Sequence, residues 1–574
     1  MIMNFKNLKP LYLAALGIGL TACGDVKRNV SDIVIYPANI ITIDPDMPNA
    51  TAVAVENGRI IAVDNFESMN SYLSGAAIDN RFSNKTIMPG LIDPHIHMVL
   101  GSMMYGLDFV PPWDMETPAG TVKGLPNKAL LMSKIAEFES AAPDGPLILY
   151  GYHNLVQGDL TRQDLDTIST TRPIYIWHFS GHDFYLNSAA IKNSKLTPAL
   201  ADKYHGIGLD DKGELNGRIF EDAALALFAT IGPILLAPDH IKKGWEGYEA
   251  IFARSGVTTV AEMGYGIFGR ALEDNYTKAY YSDADNYRLY QVPEHRAFSR
   301  EFGAEAVMQI QRLSADKTRN PRVLPQIKLF TDAAFYSQTM KMAVPGYIGG
   351  QSKGTDGLWV TEPEDLAGVM QPYWDAGLDI HIHSNGDAAQ DSTLSAFAAQ
   401  KPGEAGQRLI IEHGGLFRPD QITKAAELGI GISAASHYVK YMGQDYEEAI
   451  GEKTEFITPL ASAISAGIHT TLHSDAPLAP PQPLRAASVH MTRETRQGGV
   501  SNAAERLTPK QALKAITLDA AWSLGLDDEI GSIEAGKTAD FAILDSNPLT
   551  TAPEDWPDIK VWGVMLGGDV RPVE

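Results

Sequence analysis

The sequence predicts an α/β chain: a (β/α)8, TIM-like barrel carrying a small β-sandwich domain built from both chain ends. Three observations predict it. The middle, from about Pro89 to Gly531, alternates short apolar runs with helix-compatible stretches over more than the ~250 residues a parallel barrel takes. The two ends instead carry alternating apolar runs broken by turn residues, the texture of antiparallel strands. Several runs of the middle end on a histidine or an acid beside small residues, where a barrel strand opens into its active loop. The expected boundaries are 1–22 for a leader, 23–88 and 532–574 for the two parts of the small β domain, and 89–531 for the barrel.

The leader comes first. Lys6 and Lys9 precede an apolar stretch from Leu11 to Ala22, too short for the ~20 residues of a membrane span. It reads as the apolar region of a signal peptide. Its end, Leu20-Thr21-Ala22-Cys23, resembles a bacterial lipobox, in which the cysteine is lipidated and becomes the mature N-terminus. The alternative is an ordinary cleaved signal with an incidental cysteine, but Cys23 is the only cysteine of the chain. The expectation is a lipoprotein of the bacterial cell envelope, facing the periplasm and touching the membrane through its lipid alone. Gly24 stands where an aspartate would favour inner-membrane retention, which points toward the outer membrane.

Composition narrows the class of partner. Apolar residues make up 44% and charged residues 20% of 574, ordinary for a globular protein. The formal charge of −23, dispersed along the chain, excludes the basic field that nucleic acid needs. A single cysteine excludes internal disulfides and Cys-x-x-Cys metal sites. The expected partner is a small molecule, and a homo-oligomer is compatible with the sequence.

After the leader, Ile33 to Ile43 and Thr51 to Val63 read as antiparallel strands, matched at the far end by Ala539 to Leu544 and Val561 to Leu566. In the middle, Ile174 to Trp177, Val257 to Ala261, Ile327 to Phe330, Ile380 to His383, Leu409 to Glu412 and Gly429 to Ser433 read as barrel strands. The chemistry lies at the run ends. In Pro89-Gly90-Leu91-Ile92-Asp93-Pro94-His95-Ile96-His97, residues two apart share a face, so His95 and His97 can offer two imidazoles to one ion. Alone, that pair could equally be core or surface. Lys328 is flanked by β-formers; a carbamylated lysine would give an anionic oxygen donor, and a salt-bridged lysine is the plainer alternative. His383 and His413 close two further runs, and Asp475 follows Leu472-His473-Ser474 before a proline-rich loop. The assembled set suits one or two zinc ions with positions left for water. Asp475 could then take a proton from that water and return it to a leaving group.

The chain resembles the amidohydrolase superfamily, in particular its N-substituted-formamide-deformylase-like branch, over nearly its whole mature length. The first-strand run through His97 matches, as do His383 to Asp387, Ile411-Glu412-His413, Ser474-Asp475-Ala476-Pro477 and the stretch Leu507 to Leu549. Gly151-Tyr152-His153, Arg162 to Asp166, Ser180 to Asp183 and Asn187 to Ala190 resemble further family segments. The resemblance implies that His95, His97 and Asp475 hold one metal, His383 and His413 a second, and an N6-carboxylated Lys328 bridges them. It implies Asp475 as general acid/base in amide-type carbon–nitrogen hydrolysis, with His182 beside the substrate oxygen. Three departures bear on substrate: Asp332-Ala333 for Asp-Gly, His473 for a glycine, and Tyr152-His153 for Trp-Asp. Tyr152 and His437 join His182 as expected substrate-binding residues; His437 could also be an ordinary loop histidine. His381 shares the face of His383 as a supporting group or a ligand, and the Trp113 region could be a lid or a packed loop. Rival readings are a lactonase, esterase or deaminase on the same centre, or a lipid-anchored binding protein without turnover.

Overall fold

A computed structural model describes residues 32–141 and 144–573, so the leader and Cys23 lie outside the described residues. Strands from both chain ends share one hydrogen-bonded, eight-stranded mixed sheet rather than two separate ones. Ile33–Ile41 runs antiparallel to Asn49–Glu56 and parallel to Thr86–Pro89, which in turn pairs antiparallel with Phe541–Leu544. The run Thr51 to Val63, expected as one strand, is a hairpin of Asn49–Glu56 and Arg59–Asp64. Asn57 and Gly58 turn it, with φ of 51° and 76°, the two left-handed residues that a tight hairpin favours. A Cβ on Gly58 would also meet the Gly567 carbonyl oxygen at 2.6 Å. Side chains alternate between faces: Ile33 and Ile35 pack with Met69, while Tyr36, Ala38 and Ile40 pack with Phe541 and Ile543.

The middle forms two parallel sheets. One orders Arg322–Val323, Arg288–Pro293, Val257–Tyr265 and Leu91–Ile96; the other orders Gln326–Phe330, Asp379–Ser384, Leu409–His413, Gly431–Ala435 and Thr470–His473. Single parallel bridges, Glu294 to Lys328 and Ile96 to Ala476, join them on either side. Helices such as Pro363–Trp374, Asp387–Ala398 and Pro419–Glu427 separate successive strands of the second sheet. Their apolar residues, Leu366, Met370, Leu394 and Ile422, bury against Ile380, Ile382 and Ile411 in one cluster.

One strand expected in the barrel lies elsewhere. Ile174–His178 belongs to a six-stranded sheet inserted between Ile96 and Val257. It pairs parallel with Leu147–Tyr152 and antiparallel with Asp183–Leu186. An apolar run specifies a buried strand but not its neighbours. Here the short connection to Asp183, turning through Gly181 at φ 78°, captures the strand locally. Among the described residues no helix is long and apolar enough to cross a membrane.

Candidate metal centre

The parallel strands deliver their terminal side chains to one buried cluster. His95 Nδ1 lies 2.6 Å from Glu412 Oε2, and His97 Nδ1 lies 3.1 Å from Glu262 Oε1. Each imidazole is thus tied through Nδ1 to a carboxylate, which leaves Nε2 for an ion, the usual support of a metal-binding histidine. Both Nε2 atoms face Asp475 Oδ1, at 3.5 and 3.4 Å. Asp475 sits at φ 53° and His413 at φ 71°, left-handed conformations that re-aim the chain as each strand ends. Asp93 holds the Asp475 turn in place by accepting the Ser474 backbone N–H at 3.1 Å and the Ser474 hydroxyl at 2.5 Å.

Glu412 is the hub of the support. Its other oxygen lies 2.5 Å from His381 Nδ1. Burial alone would raise its carboxyl, but the His381 hydrogen bond and the nearby Lys328 charge hold it down to about 2. Asp475 is likewise buried, yet its hydrogen bond with His97 and the nearby His95 keep it well below the ordinary carboxylate range. Burial pushes the Lys328 ammonium down to about 8. Its Nζ, like His381 Nε2, is buried without a hydrogen-bond partner among the described residues. A buried amine that deprotonates readily fits the expected carbamate, and buried polar atoms without protein partners fit residues that would hold a cation.

His383 lies beside this cluster, its ring 4.4 Å from that of His413, with Nε2 3.0 Å from the Ala333 carbonyl oxygen. His473 lies inside the cluster, its Nε2 3.2 Å from His413 Nδ1. His182 Nδ1 pairs with Glu221 Oε2 at 2.9 Å, and the two line a cavity of about 680 Å³ with Ala333, Arg296 and Trp359. His437 lines another cavity, of about 570 Å³, with Trp113, Tyr441 and Arg485. Tyr152 is placed in an apolar core with Leu149 and Tyr185, its hydroxyl donating to the Gly158 carbonyl at 2.8 Å, and lines neither cavity. Trp113 is buried and stacked on Tyr441 at 4.3 Å, a packed wall.

Sequence reasoning assigned no role to Glu412, Glu262, Asp93, Glu221 or Ser433. A signal existed for some of them: Glu262 and Glu412 are single acids inside otherwise apolar runs, a position that demands a partner. Asp93, in the run Leu91–Ile96, offered the same hint, whereas Glu221 and Ser433 are not single acids in such a run and carried none.

Two sets of donors meet the requirement of one ion, with all ligand atoms within 4.8 Å of one another: His95, His97 and Asp475, and His95, His413 and His473. A tetrahedral centre with bonds of about 2.0 Å has donor–donor edges of about 3.3 Å. The 3.5 and 3.4 Å separations at Asp475 match that edge. Buried imidazoles and a carboxylate at the ends of parallel strands are the donors of a candidate metal centre. The amidohydrolase family model matches residues 83–572, and the chain belongs to that family.

Relatives agree along nearly the full length. Protein LONG AFTER FAR-RED 3 of Arabidopsis thaliana is 26% identical, covering 94% of this chain and 91% of its own. N-substituted formamide deformylase of Arthrobacter pascens is 25% identical, covering 94% and 98%. Among solved structures, an uncharacterized metal-dependent hydrolase of Pyrococcus horikoshii superimposes with TM-score 0.66 at 20% identity, covering 91% of this chain and 99% of that one. A counterpart from Pyrococcus furiosus gives 0.65 at 21% identity, covering 90% and 100%. These two show the same mixed α/β fold.

Proposed function

We propose that this enzyme hydrolyses an amide-type carbon–nitrogen bond of a small molecule, with Asp475 as general acid/base. The observation that carries the reading is the placement of the Asp475 carboxylate within 3.5 Å of two imidazoles already oriented by Glu412 and Glu262. His95, His97 and Asp475 would hold one zinc ion, and His413 and His383, with Lys328 N6-carboxylated, a second. Bound zinc supplies a Lewis acid for the carbonyl and a water that ionises near pH 7. The protein's own part is proton transfer. Held ionised by its imidazoles, Asp475 accepts the proton of the attacking water and delivers it to the departing nitrogen. With Nδ1 tied to Glu221, His182 keeps Nε2 for the substrate oxygen, while His437 lines a separate cavity beside Trp113 and Tyr441. The two parallel sheets are read as one barrel of eight, with Arg322–Val323 and Gln326–Phe330 counted as one interrupted strand, closed by the Glu294–Lys328 and Ile96–Ala476 bridges.

The deformylase relative supports the bond type, since its name states an N-substituted formamide as substrate. The reading also keeps the lipid tether at Cys23 and a substrate met in the periplasm. The test is a substrate panel on the zinc-loaded enzyme: N-formyl and N-acyl amines beside lactones, esters and ring amidines. Turnover concentrated on the amides is expected. Turnover confined to another group would replace the bond assignment, and ligand binding without turnover would make the protein a binder.

A further inference from the structure

We propose that His473 is itself a metal ligand, so that His95, His413 and His473 form a second donor set overlapping the first at His95. The inference rests on the metal-dependent reading above and goes beyond its ligand assignment. His473 ends the strand Thr470–His473, two residues before Asp475, and is 1% exposed. Its ring stands 4.5 Å from that of His95 and 5.1 Å from that of His413.

Its orientation is set from behind. Nδ1 lies 2.8 Å from Ser433 Oγ and 3.5 Å from Glu412 Oε2, so Nε2 is the nitrogen presented to the cluster. That Nε2 lies 3.2 Å from His413 Nδ1, which lies 3.7 Å from Asp475 Oδ2, while His95 Nε2 lies 3.5 Å from Asp475 Oδ1. The His413–His473 separation matches the edge of about 3.3 Å in a tetrahedron with bonds of about 2.0 Å, and Asp475 borders the set through its two oxygens. A hydrogen bond between His413 and His473 would account for their own short contact. It leaves unexplained why a nitrogen of His95 also falls within 4.8 Å of both, on a ring fixed by the same Glu412 that backs His473.

Three imidazoles supply the protein ligands of a zinc-type site with a position left for water, without a lysine carbamate. Such a nitrogen-rich set selects zinc, cobalt or nickel over magnesium or calcium. Metal retention would then not depend on the carboxylation of Lys328.

The experiment loads the purified enzyme with cobalt(II), without added bicarbonate, and compares it with His473→Asn. Read out are the visible ligand-field spectrum, the number of imidazoles by X-ray absorption, and affinity by chelator competition. Circular dichroism and the unfolding midpoint check the fold. Expected are one imidazole fewer, an altered visible spectrum and a loss of affinity of at least ~10-fold. Ser433→Ala keeps every imidazole and removes only the support of His473; ~10-fold weaker metal binding at an unchanged midpoint is expected. If His473→Asn misfolds, that variant carries the test. Metal held with an unchanged spectrum and affinity in both variants would overturn the inference alone and reduce the His413–His473 contact to a hydrogen bond. A wild-type enzyme that binds no metal, even with zinc and bicarbonate, would overturn the functional reading together with it.

Discussion

The mixed sheet of the chain ends and the ends of the parallel strands are buried equally and filled oppositely. In the first, Ile35, Val53, Ile87, Phe541 and Ile543 are all 0% exposed, an interior without a titratable group among them. In the second, His95, Lys328, His381, Glu412 and His473 are 0–1% exposed. Apolar burial stabilises by about 25 cal/mol per Å², whereas a buried charge costs several kcal/mol unless it is paired. The contrast shows that burial alone says little about role. The partners of a buried group decide it, and those at the strand ends converge as the ligands of an ion would.

The largest effect should come from the polar region. Asp475→Asn is expected to lower turnover by about 10²–10⁴-fold, the usual worth of a general acid/base, with the unfolding midpoint held within a few degrees. Steady-state kinetics beside thermal melts check this, and unchanged turnover would remove Asp475 from its role. Phe541→Ala should do the reverse. Truncating a buried phenylalanine costs about 3–5 kcal/mol, so urea denaturation should shift while turnover per bound metal stays constant. A fall in turnover per metal would break the comparison by coupling the sheet to the centre.

The smallest effect sharpens the point about partners. Glu249, on the helix Pro238–Ser255, accepts hydrogen bonds from Trp245 Nε1 at 2.9 Å and from the Tyr287 hydroxyl at 3.0 Å, both neutral donors. Burial therefore pushes its carboxyl up to about 7, where Glu412, paired with imidazoles, is held down. Because the folded value is raised, the folded state keeps its proton as pH rises from about 4.5 to 7 while the unfolded state loses it. Stability is consequently full below that window and falls across it. Glu249→Gln should flatten this slope and gain about 1 kcal/mol at pH 8, a figure discounted for partial solvent access. Equal slopes in melts from pH 4.5 to 8 would place the effect elsewhere.

Much of the site was legible because the parallel strands end where their apolar runs end. His95, His97, His413 and Asp475 could be picked out for that reason, and the structure brings His95 together with His97 and Asp475 on one side and with His413 on the other. The supporting carboxylates were not legible in role. Glu412 serves His95 across 317 residues and Glu262 serves His97 across 165, and no local pattern encodes such a pairing. Tyr152 shows the opposite failure: a position matched to a family segment carries no information about which way its ring points.

The sequence by itself determined the class of this protein: alternating strands and helices, strand-like texture at both chain ends, and histidines and an aspartate placed at the ends of apolar runs. Those features follow from periodicity and residue chemistry, which act over a few residues. Tertiary structure alone decided that Ile174–His178 leaves the parallel sheets, and that His473 enters the cluster while His383 turns toward the Ala333 carbonyl. The physical reason is that strand pairing and imidazole orientation depend on neighbours contributed by distant parts of the chain, and those neighbours meet only when it folds.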